Sequence, residues 1–394
     1  MKYFKSIIAI ILAAIMIFSL TACHKKNEVV MTIGDTEIQS GLYLSMQYTA
    51  YSEFMDDVNK SLGDNPDIGS YADYKNYIHP DDGKSMTDWV NERTKQLCMQ
   101  YAALQKLSAD NGIALTVDDE SYVDNYAKYY WENNLQMLYE SNGVSYDSYK
   151  KSIAFNYKLS KLFNFYYDTA DESLPGSGSK AVSEDEIKGQ INKNYILADS
   201  LSTTVSATYD ENGNATEITE DQKNEAKSKL DAYAQRINSG KATFETIKTE
   251  YEAENPSSQT SQENNTVPSS EKYTSIYPGT AKIFSAEDTN PSNYELYRKQ
   301  ADSEGFEYSK AYVISNDAGT TYQLIVLYDL SKDDYYLEYY HNAVIHAMKY
   351  EEFENFLNEQ ANTYNLKENS KLIAYYSPEK IDFDKAAEQA SKQK

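Results

Sequence analysis

Four histidines and two cysteines are the side chains in this sequence best suited to metal or nucleophilic chemistry, and their spacing supports neither. His24 and His79 stand alone, and His341 and His346 are five apart, the wrong step for two ligands on one helical face; no H-E-x-x-H occurs. Asp210-x-Asn212-x-Asn214 opens like a calcium loop. Ala215, however, stands where that loop needs glycine, and no spaced bidentate glutamate follows, so a hairpin turn is the expectation. A phosphate-binding loop, a dinucleotide fingerprint and a serine nucleophile elbow are all missing. No metal, no cofactor and no hydrolase or transferase centre is expected. Tyrosine is the unusual residue, 38 of them against 12 phenylalanines and 2 tryptophans. Its ring can hold an extended apolar chain while the hydroxyl stays wet, or it can fill a half-buried helix position. The candidates for the first role are Tyr43, Tyr48, Tyr51, Tyr126, Tyr129, Tyr130 and Trp131, because the aromatic crowding at 126–131 exceeds one buried stripe.

Cys23 carries a different chemistry. Lys2 and Lys5 precede an apolar run from Ile7 to Leu20, broken only by Ser19 and too short for a comfortable bilayer span. Leu20-Thr21-Ala22-Cys23 then resembles the bacterial lipobox, a small-residue cleavage site with cysteine at the new N-terminus. Residues 1–22 are read as a lipoprotein signal peptide, Cys23 as the lipidated residue, and 23–28 as its tether. Cleavage leaves 35 basic against 61 acidic residues, about −26, a charge that repels nucleic acid and anionic headgroups alike. The acyl chains must therefore hold the protein to the membrane, at its extracytoplasmic face. Cys98 is the other cysteine, so no disulfide between mature side chains is expected and stability must come from packing.

The elements that would position these residues follow from period and punctuation. VVMTIGDTEI (29–38) alternates like a strand turning at Gly34-Asp35, and Ser40 is placed to cap a long helix. Lys60 to Ser85 reads as a loop insertion, Thr87 to Ala109 as a helix ended by Asn111-Gly112, and further helices begin near Asp118 and after Asn142-Gly143. DESLPGSGSK (171–180) concentrates linker residues, and Ser183 with Glu186 forms a capping box. Strands are expected at 195–208, 311–315 and 321–327, helices at 225–237 and 242–252, and polar loops at 210–214 and 255–272. Asp333 to Tyr364 returns to helix. Helical, mixed, helical: that is an insertion pattern.

In their order these segments resemble the SurA/PrsA class of extracytoplasmic foldases. Val30 to Ile38 is similar to the opening strand-turn of that class, Asn111 to Glu120 to its G-I-x-[VL]-[ST] hinge, Gly143 to Tyr149 to its G-[VI]-[ST] step, and Val182 to Ile187 to the entry of its inserted parvulin domain. The resemblance implies an α+β fold. A mostly helical SurA-N-like chaperone domain (29–170) would be completed by a C-terminal helix and tail (332–394). A linker (171–182) would lead to a degenerate parvulin-like α/β domain at 183–331. It also implies a lipid-anchored foldase or chaperone whose partners are unfolded exported polypeptides. Where the family's parvulin carries H-I-L this chain has Tyr195-Ile196-Leu197, and where it carries G-[YW]-H it has Thr321-Tyr322-Gln323. Amide isomerisation faces a barrier of about 18–20 kcal/mol. Tyr195 and Gln323 can hydrogen-bond but do not reproduce paired imidazoles, so the implied peptidyl-prolyl isomerase activity is weak or absent. An isomerase with other pocket residues, and a solute- or glycan-binding lipoprotein, are the rival readings; oligomeric state is left open.

Overall fold

The computed structural model describes residues 28–62, 71–170, 173–207, 216–255, 273–286, 288, 291–316 and 318–381. The fold is α+β, mostly helical with two small antiparallel sheets, and it divides into two compact units, 1–181 with 348–394 and 182–347. The expected segments at 1–27, 210–214 and 256–272 lie outside the described residues. Among the described residues no helix is long and apolar enough to cross a membrane.

The first unit opens with β1 (Val29–Ile33) and β2 (Thr36–Gln39), paired antiparallel through a turn at Gly34, whose φ of +59° is a conformation that side-chain-bearing residues avoid. β1 also pairs with β7 (Leu366–Glu368), so the sheet β2-β1-β7 joins the two ends of the described chain. Helix α1 (Ser40–Leu62) follows without a break, and Ser40 is its first residue rather than its cap, its amide donating to the Glu28 carbonyl. α1 packs on α2 (Met86–Asp110) and α5 (Tyr146–Tyr167), and Phe54, Val58, Leu104 and Leu162 are at most 1% exposed. Asn111 closes α2 and Gly112 turns the chain at φ +68°. The late residues 348–381 complete this core: Phe353 meets Phe163 at 5.4 Å, Gln100 donates to Asn358, and Gln47 donates to the Tyr376 carbonyl.

The stretch read as a linker is docked where it is described. The Gly178 amide donates to the Phe165 carbonyl and the Lys180 amide to that of Tyr166. At Gly178 the backbone is left-handed (φ +64°), and a Cβ there would come within 2.7 Å of the Ala170 backbone. Only glycine lets this segment lie so close to the end of α5.

The second unit begins with α6 (Glu184–Asn194), started by the Ser183–Glu186 capping box, and runs directly into β3 (Tyr195–Thr204). Two helices follow, α7 (Glu220–Asn238) and α8 (Phe244–Glu254). Then come β4 (Lys282–Ser285), α9 (Ser292–Ala301), β5 (Ala311–Ser315) and β6 (Thr321–Tyr328), giving an antiparallel sheet in the order β4-β3-β6-β5. Alternation along the strands sends Ile196, Ala198, Ile325 and Leu327 to one face, under Tyr294 and Tyr297 of α9. Residues of the other parity face α7, which crosses β5 and β6, and α8, whose Tyr251 hydroxyl donates to the Ser202 carbonyl. A long helix, α10 (Asp334–Asn362), is divided between the units after Ala347, and the short α11 (Ser370–Tyr375) follows β7.

Candidate functional site

Helix α3 (Val117–Tyr130) carries the aromatic run. It starts cleanly because Thr116 and Asp119 form a capping box and Asp118, Asp119 and Glu120 occupy its positive end. Its inner stripe, Val123, Ala127 and then Trp131, at 0–6% exposure, packs inward. The chain then loosens into a π-helical turn (Trp131–Leu135) before α4 (Gln136–Ser141), a rare geometry frequent at functional positions.

The inner stripe leaves the other tyrosines outside. Tyr122, Tyr126 and Tyr130 follow one another at steps of four, with ring centroids 6.1 and 4.6 Å apart, and Tyr129 stands edge-on to Tyr130 at 5.1 Å. Tyr122 is 48% and Tyr129 60% exposed, while Tyr126 and Tyr130 are half-buried. Tyr157 of α5 extends the stripe, 5.5 Å from Tyr122. One end of this surface already holds a cation: the Lys161 ammonium lies over the Tyr157 ring at 5.9 Å and pairs with Asp119. Burial alone would raise the Asp119 carboxyl. Lys161, the Thr116 amide and the Tyr157 hydroxyl (2.8 Å) instead hold it well below the usual carboxylate range.

The remaining aromatic candidates are placed differently. Tyr43, Tyr48, Tyr51 and Trp131 are 0%, 7%, 3% and 6% exposed. Tyr48 packs on Tyr139 at 4.8 Å and Trp131 on Tyr149 at 5.7 Å. Their rings are covered by the core. The reason lies in α1, whose small residues Gly41, Ser45 and Ala50 let neighbouring helices close over the rings. Tyr122, absent from the expected set, belongs to the surface; its step of four from Tyr126 was the signal available.

In the second unit the two positions read as a degenerate pocket do not meet. β3 pairs with β6 so that Ser202, not Tyr195, lies opposite Gln323. Seven residues of strand, about 23 Å, separate Ser202 from Tyr195. Because seven is odd, the two side chains also lie on opposite faces of the sheet. Tyr195 stacks on Tyr340 at 4.1 Å. Gln323 accepts from the buried Tyr297 hydroxyl (2.7 Å) and donates to Asn293 (3.3 Å), which fixes its amide. In this register Tyr195 and Gln323 lie apart on the sheet.

Sequence reasoning missed Asp199, 2% exposed on the α7–α8 face, accepting from the Tyr328 hydroxyl at 2.8 Å. Burial pushes its carboxyl above the usual carboxylate value, and the Tyr328 phenol is raised as well. Its parity with Leu197 and Leu201 was the legible sign that it turns inward. Cys23 lies outside the described residues, and among these no group of three or more His, Cys, Asp or Glu could hold a metal ion.

No family model matches the chain, and no curated protein matches it. Among solved structures it is similar to foldase protein PrsA from Streptococcus pneumoniae str. Canada MDR_19A, with 13% identity, a TM-score of 0.34, and coverage of 69% of this chain and 85% of that one. It is also similar to foldase protein PrsA from Lactococcus lactis, with 11% identity, a TM-score of 0.31, and coverage of 89% and 97%.

Proposed function

We propose that this protein is a foldase-like chaperone, anchored through acyl chains on Cys23 at the extracytoplasmic face of the cell membrane, that holds newly exported unfolded polypeptides. The observation that carries this reading is the stripe of Tyr122, Tyr126, Tyr129 and Tyr130. Two exposed rings, Tyr122 and Tyr129, stand beside the half-buried Tyr126 and Tyr130 on a helix whose inner face is fully used. Exposed aromatic surface of this kind holds extended chains reversibly, without covalent chemistry, and releases them as they bury their own cores. The acidic balance keeps the loaded complex soluble. In this reading residues 29–170 and 332–394 form the chaperone body and 183–331 a degenerate parvulin-like domain. Isomerase activity is weak or absent, since Gln323 is tied to Tyr297 and Asn293, and Tyr195 lies far from it on the other face.

The test is light scattering during refolding of an aggregating client. Suppression at equimolar protein is the expected result, and its absence sinks the chaperone reading. A protease-coupled assay on a proline peptide addresses the second part, where turnover near that of an active parvulin would overturn it. Anchoring is read by mass spectrometry of the expressed protein: a diacylglyceryl mass on a chain beginning at Cys23 is expected, and Cys23→Ala releases the protein from membranes.

A further inference from the structure

Resting on that reading, we infer that the tyrosine stripe of α3 selects extended client segments that present arginine or lysine and bulky apolar side chains together on one face, at every second position of the chain. The chain itself shows how such a cation is seated. Lys161 lies over the Tyr157 ring while Asp119, on the neighbouring helix, supplies the countercharge. Carboxylates also stand within one helical turn of the two exposed rings of the stripe. Asp118 stands one turn before Tyr122, and Glu132 lies three residues beyond Tyr129. Among the described residues Asp118 makes no ion pair, and the one ion pair of Glu132 is with Lys128, at 3.8 Å. The next carboxylate, Asp124, differs, being taken up by Lys150 and the Tyr146 hydroxyl.

A guanidinium or ammonium over Tyr122 or Tyr129 would therefore gain the ring quadrupole and a nearby countercharge together. The apolar side chains of the same face would lie against Tyr126 and Tyr130, which are half-buried. An acidic segment would meet Asp118, Glu132 and the −24 charge of the whole chain. A purely polar basic segment would leave the rings unfilled. The occupant is thus a cationic and apolar extended polypeptide.

The experiment is fluorescence anisotropy of the full chain with three labelled, unstructured peptides, one repeating Leu-Leu-Arg-Arg, one Leu-Leu-Glu-Glu and one Ser-Ser-Arg-Arg, so that each extended face carries both residue types. The Leu/Arg peptide is expected to bind at least about tenfold more tightly than either other, and to weaken as salt rises from about 50 to about 500 mM. Tyr122→Ala with Tyr129→Ala is expected to weaken it about tenfold with an unchanged circular dichroism spectrum, since both rings are exposed. Asp118→Asn with Glu132→Gln is expected to weaken it about threefold while leaving the Leu/Glu peptide no worse. Equal binding of the Arg and Glu peptides, or a double tyrosine variant that binds as the parent does, overturns the inference. So does displacement of the Leu/Arg peptide by a neutral oligosaccharide, which would make the stripe a glycan site. If client scattering is suppressed while the peptides are not discriminated, this inference falls and the chaperone reading stands. Discrimination without suppression has the opposite meaning.

Discussion

Helices α1 and α3 both carry tyrosines at steps close to one helical turn, yet they treat them oppositely. Fourteen of the 23 residues of α1 are buried, Tyr43, Tyr48 and Tyr51 among them, whereas α3 buries only Asp119, Val123 and Ala127 of its 14. The residues between the rings decide this. In α1 they are Leu44, Ser45, Met46, Gln47, Thr49 and Ala50, none of them charged, so every side of the helix can be covered, and just before them, at Gly41, a Cβ would overlap the Ser148 side chain of α5. In α3, apart from the inward Val123 and Ala127, they are Asp124, Asn125 and Lys128, whose charged and polar groups hold the outer face in water. A tyrosine therefore carries no fate of its own; the polarity of its helical neighbours assigns it to core or surface.

The sharpest way to break this comparison is to delete one ring from each class. Tyr149, 1% exposed and wedged between Trp131 and Tyr139, is expected to cost about 3–5 kcal/mol on replacement by alanine, the loss typical of a large aromatic in a core. Tyr129→Ala is expected to stay within about 0.5 kcal/mol of the parent. Urea unfolding followed by circular dichroism reads both, and similar costs at the two positions would erase the distinction between the classes.

The distinction was only partly legible in the sequence. Helix limits marked by side-chain chemistry were plain, such as the Ser183–Glu186 box and the Asn111-Gly112 stop, because caps act locally. The strands at 311–315 and 321–327 were legible from their β-branched and apolar runs. β4 and β7, at four and three residues, are too short to show a period, and α9 offers only Tyr294 and Tyr297 as buried anchors. The π-helical turn was invisible because Trp-Glu-Asn-Asn-Leu reads as ordinary helix. The separation of Tyr195 from Gln323 was hidden for a deeper reason. It depends on the pairing register of two strands over a hundred residues apart, which no local pattern encodes.

Titration sharpens the comparison, because the two helices carry carboxylates perturbed in opposite directions. Asp119 is held low, so its contribution is present above the unfolded carboxylate value and is lost as pH falls through its folded value. Asp119→Asn is expected to cost about 1–2 kcal/mol at neutral pH, through the lost ion pair and weakened cap, and nothing in strong acid. On α1, burial, assisted by Asp57 and Glu53 against the opposing Lys60, pushes the Asp56 carboxyl up to about 6. Its stabilising share is therefore full below the unfolded value of 3.8 and disappears as pH rises through about 6. Asp56→Asn is expected to gain about 1 kcal/mol at pH 7 relative to the parent and to lose that advantage at acid pH. Melting temperatures of parent and variants measured across that range give both slopes; slopes of the same sign would mean that the two environments are not distinct.

The smallest effect separates tyrosines by their hydroxyls alone. Tyr149 Oη is buried and has no hydrogen-bond partner among the described residues, while Tyr157 Oη donates to Asp119 at 2.8 Å. A buried hydroxyl without a partner carries its desolvation cost uncompensated, so Tyr149→Phe is expected to be neutral or to stabilise by about 0.5 kcal/mol. Tyr157→Phe removes a charge-assisted bond at a partly exposed position and is expected to cost about 1 kcal/mol. The two replacements delete the same atom from the same residue type on the same helix, α5, and differ only in what the oxygen meets. Equilibrium unfolding of the pair therefore reads hydrogen bonding without the ring, and a loss on Tyr149→Phe as large as that on Tyr157→Phe would show that the Tyr149 hydroxyl is paired after all.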